Sequence, residues 1–452
     1  MPRPRTLAVA GLALLAGAAV LDVFVYHSPR APPPALPFGV ESIRVLDASA
    51  YAVRIEWVTT EPSTGRVRWG PVAMKPLLWS PQLGSATRHV ARLEGLAANS
   101  TYVARATVRS DAGELAETDL TFTTPPAPTT LTADVRGGVV HVDGAAFLPI
   151  IVWQQCPDRF AENVAQGVNV FAGTQCVPLP ILQAGSAGKG LVATTSEDGA
   201  ETGSASVVGW FYPDEADARA LTGASLPVAP PGLRFLTVTH HFFAPAAPPP
   251  SGRGIYAGLF AKANVVGFDL YPLQEICRRD FLPAVFDAQR ELVELVPGKP
   301  TFQWIEAREF KCPELPVTPE TVRAETWLAL AGGAHGLGYF PKDWDPAVGE
   351  AIGGVTARIR QLVPALLRPA SPIEVRPPGA VRASARSLND ALYVIAVNGG
   401  IQPATVQLHV GGLGKRLLLV LGTERSLGGS GDVITDTLPP LGVRIYVAPP
   451  VS

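Results

Sequence analysis

The chain has 452 residues, of which 47% are hydrophobic and only 17% charged, with a formal net charge of −2. It is too long for one small domain and apolar enough for large cores. It lacks the basic stripe that marks a nucleic-acid partner. Glycine (44) and proline (45) are frequent but fall short of low-complexity disorder, so they read as turns and linkers.

A basic start, Met1-Pro-Arg-Pro-Arg5, precedes Thr6 to Tyr26, a run that is apolar apart from Asp22. Residues 1–26 therefore read as a secretory signal or, if retained, as a membrane anchor, with small residues at 16–19 permitting cleavage. Either way the remainder is expected outside the cytoplasm, secreted or tethered by that apolar segment. Four cysteines in an exported chain point to disulfides, for which three connectivities exist. No C-x-x-C or His-rich spacing supports a metal, and no metal or cofactor is expected.

Residues 27–37 form a proline-rich linker. Residues 38–126 carry short alternating segments, among them Tyr51–Trp57, Gly65–Trp69, Thr101–Val108 and Thr118–Phe122, separated by turn clusters. With Trp57, the Leu93-x-x-Leu96 to Tyr102 region and the closing Thr121-Phe-Thr-Thr-Pro-Pro126, this segment resembles a fibronectin type III domain. It carries no catalytic constellation and reads as a spacer or docking module. After the linker Pro125–Thr130, Gly138–Gly144 suggests a hairpin near one end of the next domain.

Strand–helix alternation then runs through residues 131–368. Eight strands are read at Phe147–Gln154, Val168–Ala172, Leu191–Thr195, Val207–Tyr212, Phe235–His240, Val265–Leu270, Thr301–Ile305 and Gly336–Phe340. Helices are read at Asp158–Gln166, Asp214–Thr222, Gly254–Ala263, Ala284–Leu295 and Pro319–Gly332. Repeated βα units of this kind suggest a (β/α)8 barrel. On that architecture Cys156 and Cys176 follow strands one and two, and Cys277 and Cys312 follow strands six and seven. The pairings Cys156–Cys176 and Cys277–Cys312 are thus favoured, each stiffening neighbouring loops on one face. Residues 369–452 return to strands between Gly-rich turns and predict an antiparallel β-sandwich.

Two apolar runs end in carboxylates. Val207-Val-Gly-Trp-Phe-Tyr-Pro-Asp-Glu215 closes strand four, and Thr301-Phe-Gln-Trp-Ile-Glu306 closes strand seven. Core packing explains the apolar residues but not the acids, and strand C-termini open onto the ligand face of such barrels. The pattern resembles the clan A, or "4/7", glycoside hydrolases. That resemblance implies Glu215 as general acid/base and Glu306 as nucleophile of a retaining reaction on a β-linked glycoside or polysaccharide. It also implies Tyr271 as a hydrogen-bond partner of the nucleophile and His240 as a sugar contact. Trp153, Trp304, Tyr339 and Phe340 would then be aromatic platforms at the mouth. Asp214 stands where such enzymes place an Asn against the sugar 2-hydroxyl. Strand alternation leaves Asp269 as a rival to Tyr271, and His241 as a rival to His240. Trp210 and Trp327 read as core. No G-x-S-x-G, H-E-x-x-H or Walker motif is present. The alternative is a carbohydrate-binding or surface-adhesion protein that keeps the barrel without turnover.

Overall fold

The computed structural model describes residues 37–173, 176–196, 207–340 and 344–451, so the apolar N-terminal run lies outside the described residues. Thr101–Ser110 alternates half-buried and buried positions, as a sheet with one covered face requires. It belongs to an antiparallel sheet built on one 20-residue strand, Ala52–Pro71. The first half of that strand pairs with Val40–Ala48 and Leu83–Glu94. Its second half pairs with Leu78–Trp79 and Thr101–Ser110, and the latter pairs in turn with Leu115–Thr123. Register breaks between Val58 and Ser63, where the strand bends. The expected sandwich is therefore a single bent sheet whose wings close over Trp57, Val67, Leu93 and Tyr102, all buried.

Eight parallel strands close into a barrel. They are Ile150–Trp153, Val170–Ala172, Leu191–Thr195, Val207–Phe211, Leu233–Thr239, Val265–Asp269, Thr301–Glu306 and Gly336–Phe340. The hairpin expected at 138–144 is the middle of a three-stranded sheet, Ala133–Arg136, Val139–Val142 and Ala145–Ala146. Its Val140, Val142 and Ala145 share a core with Leu191, Leu233 and Val265, the residues that open strands three, five and six, so it covers the amino end of the barrel.

The barrel interior is aromatic. Phe211 stacks on Phe235 with ring centroids 4.6 Å apart, Phe302 packs edge-on to both, and Trp304 packs edge-on to Phe302. Two glycines make room. A Cβ at Gly267 would lie 2.3 Å from the Phe302 ring, and one at Gly338 would lie 2.1 Å from Trp304. Helix Pro319–Gly332 shows why the outer layer forms where it does. Thr318 and Thr321 exchange capping hydrogen bonds, Pro319 occupies the first turn, and Gly333 ends the helix at φ 107°. The segment Asp214–Thr222, expected to be helical, is instead a series of turns. Glu215 and Ala220 sit at φ 46° and 55°, in the left-handed region, which no α-helix accommodates.

The C-terminal region forms a six-stranded and a three-stranded antiparallel sheet. It docks on the barrel's outer helices. Arg382 pairs with Asp287 at 2.7 Å, and buried Arg386 donates to the carbonyl of Leu330. Residues Phe38–Ser452 form one compact unit. Among the described residues no helix is long and apolar enough to cross a membrane.

Candidate active site

At the carboxyl end of the barrel is a cavity of about 230 Å³ lined by Trp153, Asp214, Glu215, Asp269, Tyr271, Glu275, Trp304, Phe310 and Phe340. Its aromatic walls come from strands one, seven and eight and from the loops after strands six and seven. Trp153 and Trp304 meet edge to face at 5.6 Å, and Trp304 Nε1 donates to Thr237 Oγ1 at 3.0 Å. Tyr271, Phe310 and Phe340 form a triangle of rings, with centroids 5.7, 6.4 and 6.5 Å apart. Such walls suit the C–H faces of a sugar ring.

The carboxylates come from the loop after strand four and from the end of strand six with its loop. Asp269 ends strand six and is buried, and its carboxyl hydrogen-bonds that of Glu215. Burial raises the Asp269 pKa well above the ordinary carboxylate range, and the charges of Glu215, Asp214 and Glu275 raise it further. A protonated Asp269 can donate to Glu215. The Glu215 backbone is held at φ 46°, a conformation a non-glycine residue keeps only where its surroundings enforce it. Two residues on, the same loop is anchored by buried Asp217, which accepts from Thr239 N at 2.9 Å, Thr239 Oγ1 at 2.6 Å and Tyr256 OH at 2.7 Å.

Glu275, from the loop after strand six, has a pKa raised by burial and then by Glu215. His240 stands behind it, Nδ1 3.7 Å from Glu275 Oε2. Burial holds His240 down to about 4, so it is neutral at pH 7. It backs the cavity wall and does not line the cavity.

Of the residues proposed from sequence, Trp153, Asp214, Glu215, Tyr271 and Trp304 are brought together here, and Glu306 and Tyr339 are not. Glu306 is buried, accepting the backbone N–H groups of Leu273 and Gln274 at 3.0 Å each. Its own N–H donates to Glu325 Oε1 at 3.2 Å. Burial pushes the Glu306 acid up to about 7, and the two amides it accepts act against that. Glu306 is thus a loop anchor beneath the wall and does not face Glu215 across the cavity. Tyr339 is fully buried and meets Thr326 Oγ1 at 3.2 Å, on the helix side of strand eight. One residue on, Phe340 takes the mouth position, as alternation along a strand dictates. Both Asp269 and Tyr271 line the cavity, so neither excludes the other.

Reading the sequence alone missed Glu275, Phe310 and Gln274. Gln274 is fully buried. Its Oε1 accepts from the N–H groups of Phe310, Lys311 and Cys312, and its Nε2 donates to the carbonyls of Cys312 and Leu315. It ties the strand-six loop to the strand-seven loop, beside the Cys277–Cys312 disulfide. Cys156–Cys176 links the loops after strands one and two. Both bridges follow the favoured connectivity, and both fit an oxidising compartment.

No family model matches the chain, and no curated protein matches it in sequence. Solved structures resemble it in shape. A Bacteroides fragilis protein described as a candidate alpha-galactosidase/melibiase aligns over 92% of this chain and 97% of its own at 11% identity, with a TM-score of 0.45. The Geobacillus stearothermophilus β-L-arabinopyranosidase aligns over 68% and 97% at 10% identity and 0.44. A Clostridium papyrosolvens endoxylanase aligns over 71% and 99% at 9% identity and 0.40. Likeness at this level carries no chemistry, which has to come from the cavity itself.

Proposed function

We propose that the chain is a glycoside hydrolase working by double displacement, with Asp269 as general acid/base and Glu215 as nucleophile. The observation that carries this is the contact between a buried, proton-holding Asp269 and Glu215 inside an aromatic-walled cavity at the carboxyl end of the barrel. A glycosidase needs two carboxyls whose environments push their proton affinities apart. Carboxyls in contact lie nearer the separation of about 5–5.5 Å used by retaining enzymes than the 6.5–9.5 Å that leaves room for a water between them. A small side-chain rotation would admit the anomeric carbon.

In the first step Asp269 protonates the leaving glycosidic oxygen while the Glu215 carboxylate attacks the anomeric carbon, giving a glycosyl ester and a free alcohol. In the second, the Asp269 carboxylate takes a proton from water as that water attacks the same carbon. This releases the sugar and restores both side chains. Tyr271, whose hydroxyl is kept protonated by burial and by the charges of Asp214 and Glu215, supplies a neutral donor beside them.

A panel of aryl glycosides of both anomers tests the assignment with the wild type, Glu215→Gln and Asp269→Asn. The expected result is turnover by the wild type, loss in Glu215→Gln on every aryl glycoside, loss in Asp269→Asn on those with poor leaving groups, and a 2-fluoro-glycosyl adduct on Glu215 seen by mass spectrometry. Undiminished turnover in either variant would sink its assignment. Sugar binding without turnover in the wild type would return the protein to the carbohydrate-binding class.

A further inference from the structure

The cavity carries more acid than hydrolysis uses. Two carboxyls suffice for double displacement, yet Asp214, Glu215, Asp269 and Glu275 all line it. Among the described residues no Lys, Arg or His lines it with them. Two cations stand just outside the lining. Lys311 Nζ donates to the Glu275 backbone carbonyl at 3.0 Å, and the Arg308 guanidinium lies 5.9 Å from the Phe340 ring centroid. His240, with Nδ1 3.7 Å from Glu275 Oε2, is neutral, while Lys311 and His241 bear on Glu275 from outside the lining. Even with Asp214 counted as paired, Glu275 remains a carboxylate surplus to the two that the chemistry employs.

Carboxylates gathered in a partly enclosed cavity favour a ligand that brings positive charge. Neutral sugars bring nothing positive, and a uronate would add a further negative charge. A free amine on the sugar supplies an ammonium with three donors. The walls suit the same group, because the faces of Trp153, Trp304 and Tyr271 attract cations that have left water. We propose that the site takes glycosides of free amino sugars, with the ammonium seated between Glu275 and Glu215. This rests on the hydrolase reading above for its chemistry, but not for its charge preference.

Binding and turnover are measured separately, so the two ideas can fail apart. The probes are oligomers of glucosamine and of galactosamine, each free and N-acetylated, with oligogalacturonate as the acidic control. Wild type at low salt is expected to bind a free-amine oligomer at least tenfold tighter than its acetylated form. The gap should shrink several-fold near 1 M salt, where the screening length falls to about 3 Å. It should also shrink in Glu275→Gln, a near-isosteric change at a partly exposed position, with a wild-type circular dichroism spectrum confirming the fold. Amine preference together with cleavage supports both readings. Amine preference without cleavage keeps the charge inference and removes the hydrolase. Cleavage of acetylated or neutral oligomers at least as well as free-amine ones removes the charge inference and keeps the hydrolase. Full amine preference in Glu275→Gln, or no binding of any probe, overturns the proposal.

Discussion

Asp269 makes a strand end into an acid. Its burial, reinforced by the three carboxylates around it, lets it hold a proton where a free aspartate would have lost it. Two outcomes follow at this scale. Asp269→Asn should lower kcat by about 10²–10⁴ on substrates with poor leaving groups, the usual worth of a general acid, and much less on activated aryl glycosides. Glu275→Gln removes one of the like charges that disfavour ionisation of Asp269. The Asp269 proton should then be lost at lower pH, and the alkaline limb of the kcat/KM profile should move toward acid. A limb that stays in place would separate Glu275 from the acid. The residue scale is also where sequence reading runs short. Glu215 and Glu306 carry the same signature, an apolar run ending in Glu. The groups that claim Glu306 are the amides of Leu273 and Gln274, and a backbone N–H leaves no mark in a sequence. Tyr339 and Phe340 differ by one register position, which the chain pattern leaves open and the sheet decides.

Elements were legible where local preference and burial agree. The strand Leu191–Thr195 and the helices Ala284–Leu295 and Pro319–Gly332 stand where period and capping residues put them. Asp214–Thr222 has the composition of a helix, but Asp217 is captured by Thr239 and Tyr256 on neighbouring elements, so tertiary contacts override propensity. The loops after strands six and seven behave as one element, held by Glu306, Gln274 and the Cys277–Cys312 bridge. In the folded chain Glu306 titrates about 7, against 4.5 unperturbed. The folded state therefore holds the extra proton between those values. The Glu306 contribution to stability should be fully present below about pH 4.5 and be lost, a few kcal/mol in all, as pH rises through about 7. Melting temperatures across that range check it, and Glu306→Gln should flatten the slope while losing about 1–3 kcal/mol for the backbone amide it can no longer satisfy. Removing the disulfide, by Cys277→Ala with Cys312→Ala, opens a loop with a sequence separation of 35. That should cost about 3–4 kcal/mol in the chain-entropy account and raise KM more than it lowers kcat, because Tyr271, Glu275 and Phe310 ride on the loosened loops.

At the scale of the whole molecule, one short stretch of backbone supplies a row of hydrogen bonds between the N-terminal sheet and the rest. The carbonyls of Lys75, Leu77 and Trp79 accept, in turn, from Gln361 Nε2 at 2.6 Å, Tyr393 OH at 2.8 Å and Asn389 Nδ2 at 2.5 Å. Alternate carbonyls along that segment are thus satisfied by side chains from the end of the barrel and from the C-terminal sheet. This protects a sheet edge that would otherwise be open. The packing agrees, since Trp57, Leu77 and Leu93 belong to the same continuous core as Trp327, Leu362 and Ile395. A Cβ at Gly95 would lie 2.9 Å from Val363 Cγ1, so the sheet and the helical layer approach at van der Waals distance. Independent modules on linkers would unfold in separate steps, whereas a shared core predicts that sheet, barrel and C-terminal region unfold together. Calorimetry should show one transition with equal calorimetric and van't Hoff enthalpies. Tyr393→Phe leaves the buried Leu77 carbonyl without its donor and should cost about 1–3 kcal/mol. Under a shared core, that loss moves the entire transition to lower temperature. A sheet that melts alone, with the barrel transition left in place, would show that the fibronectin-like segment is a separate domain after all.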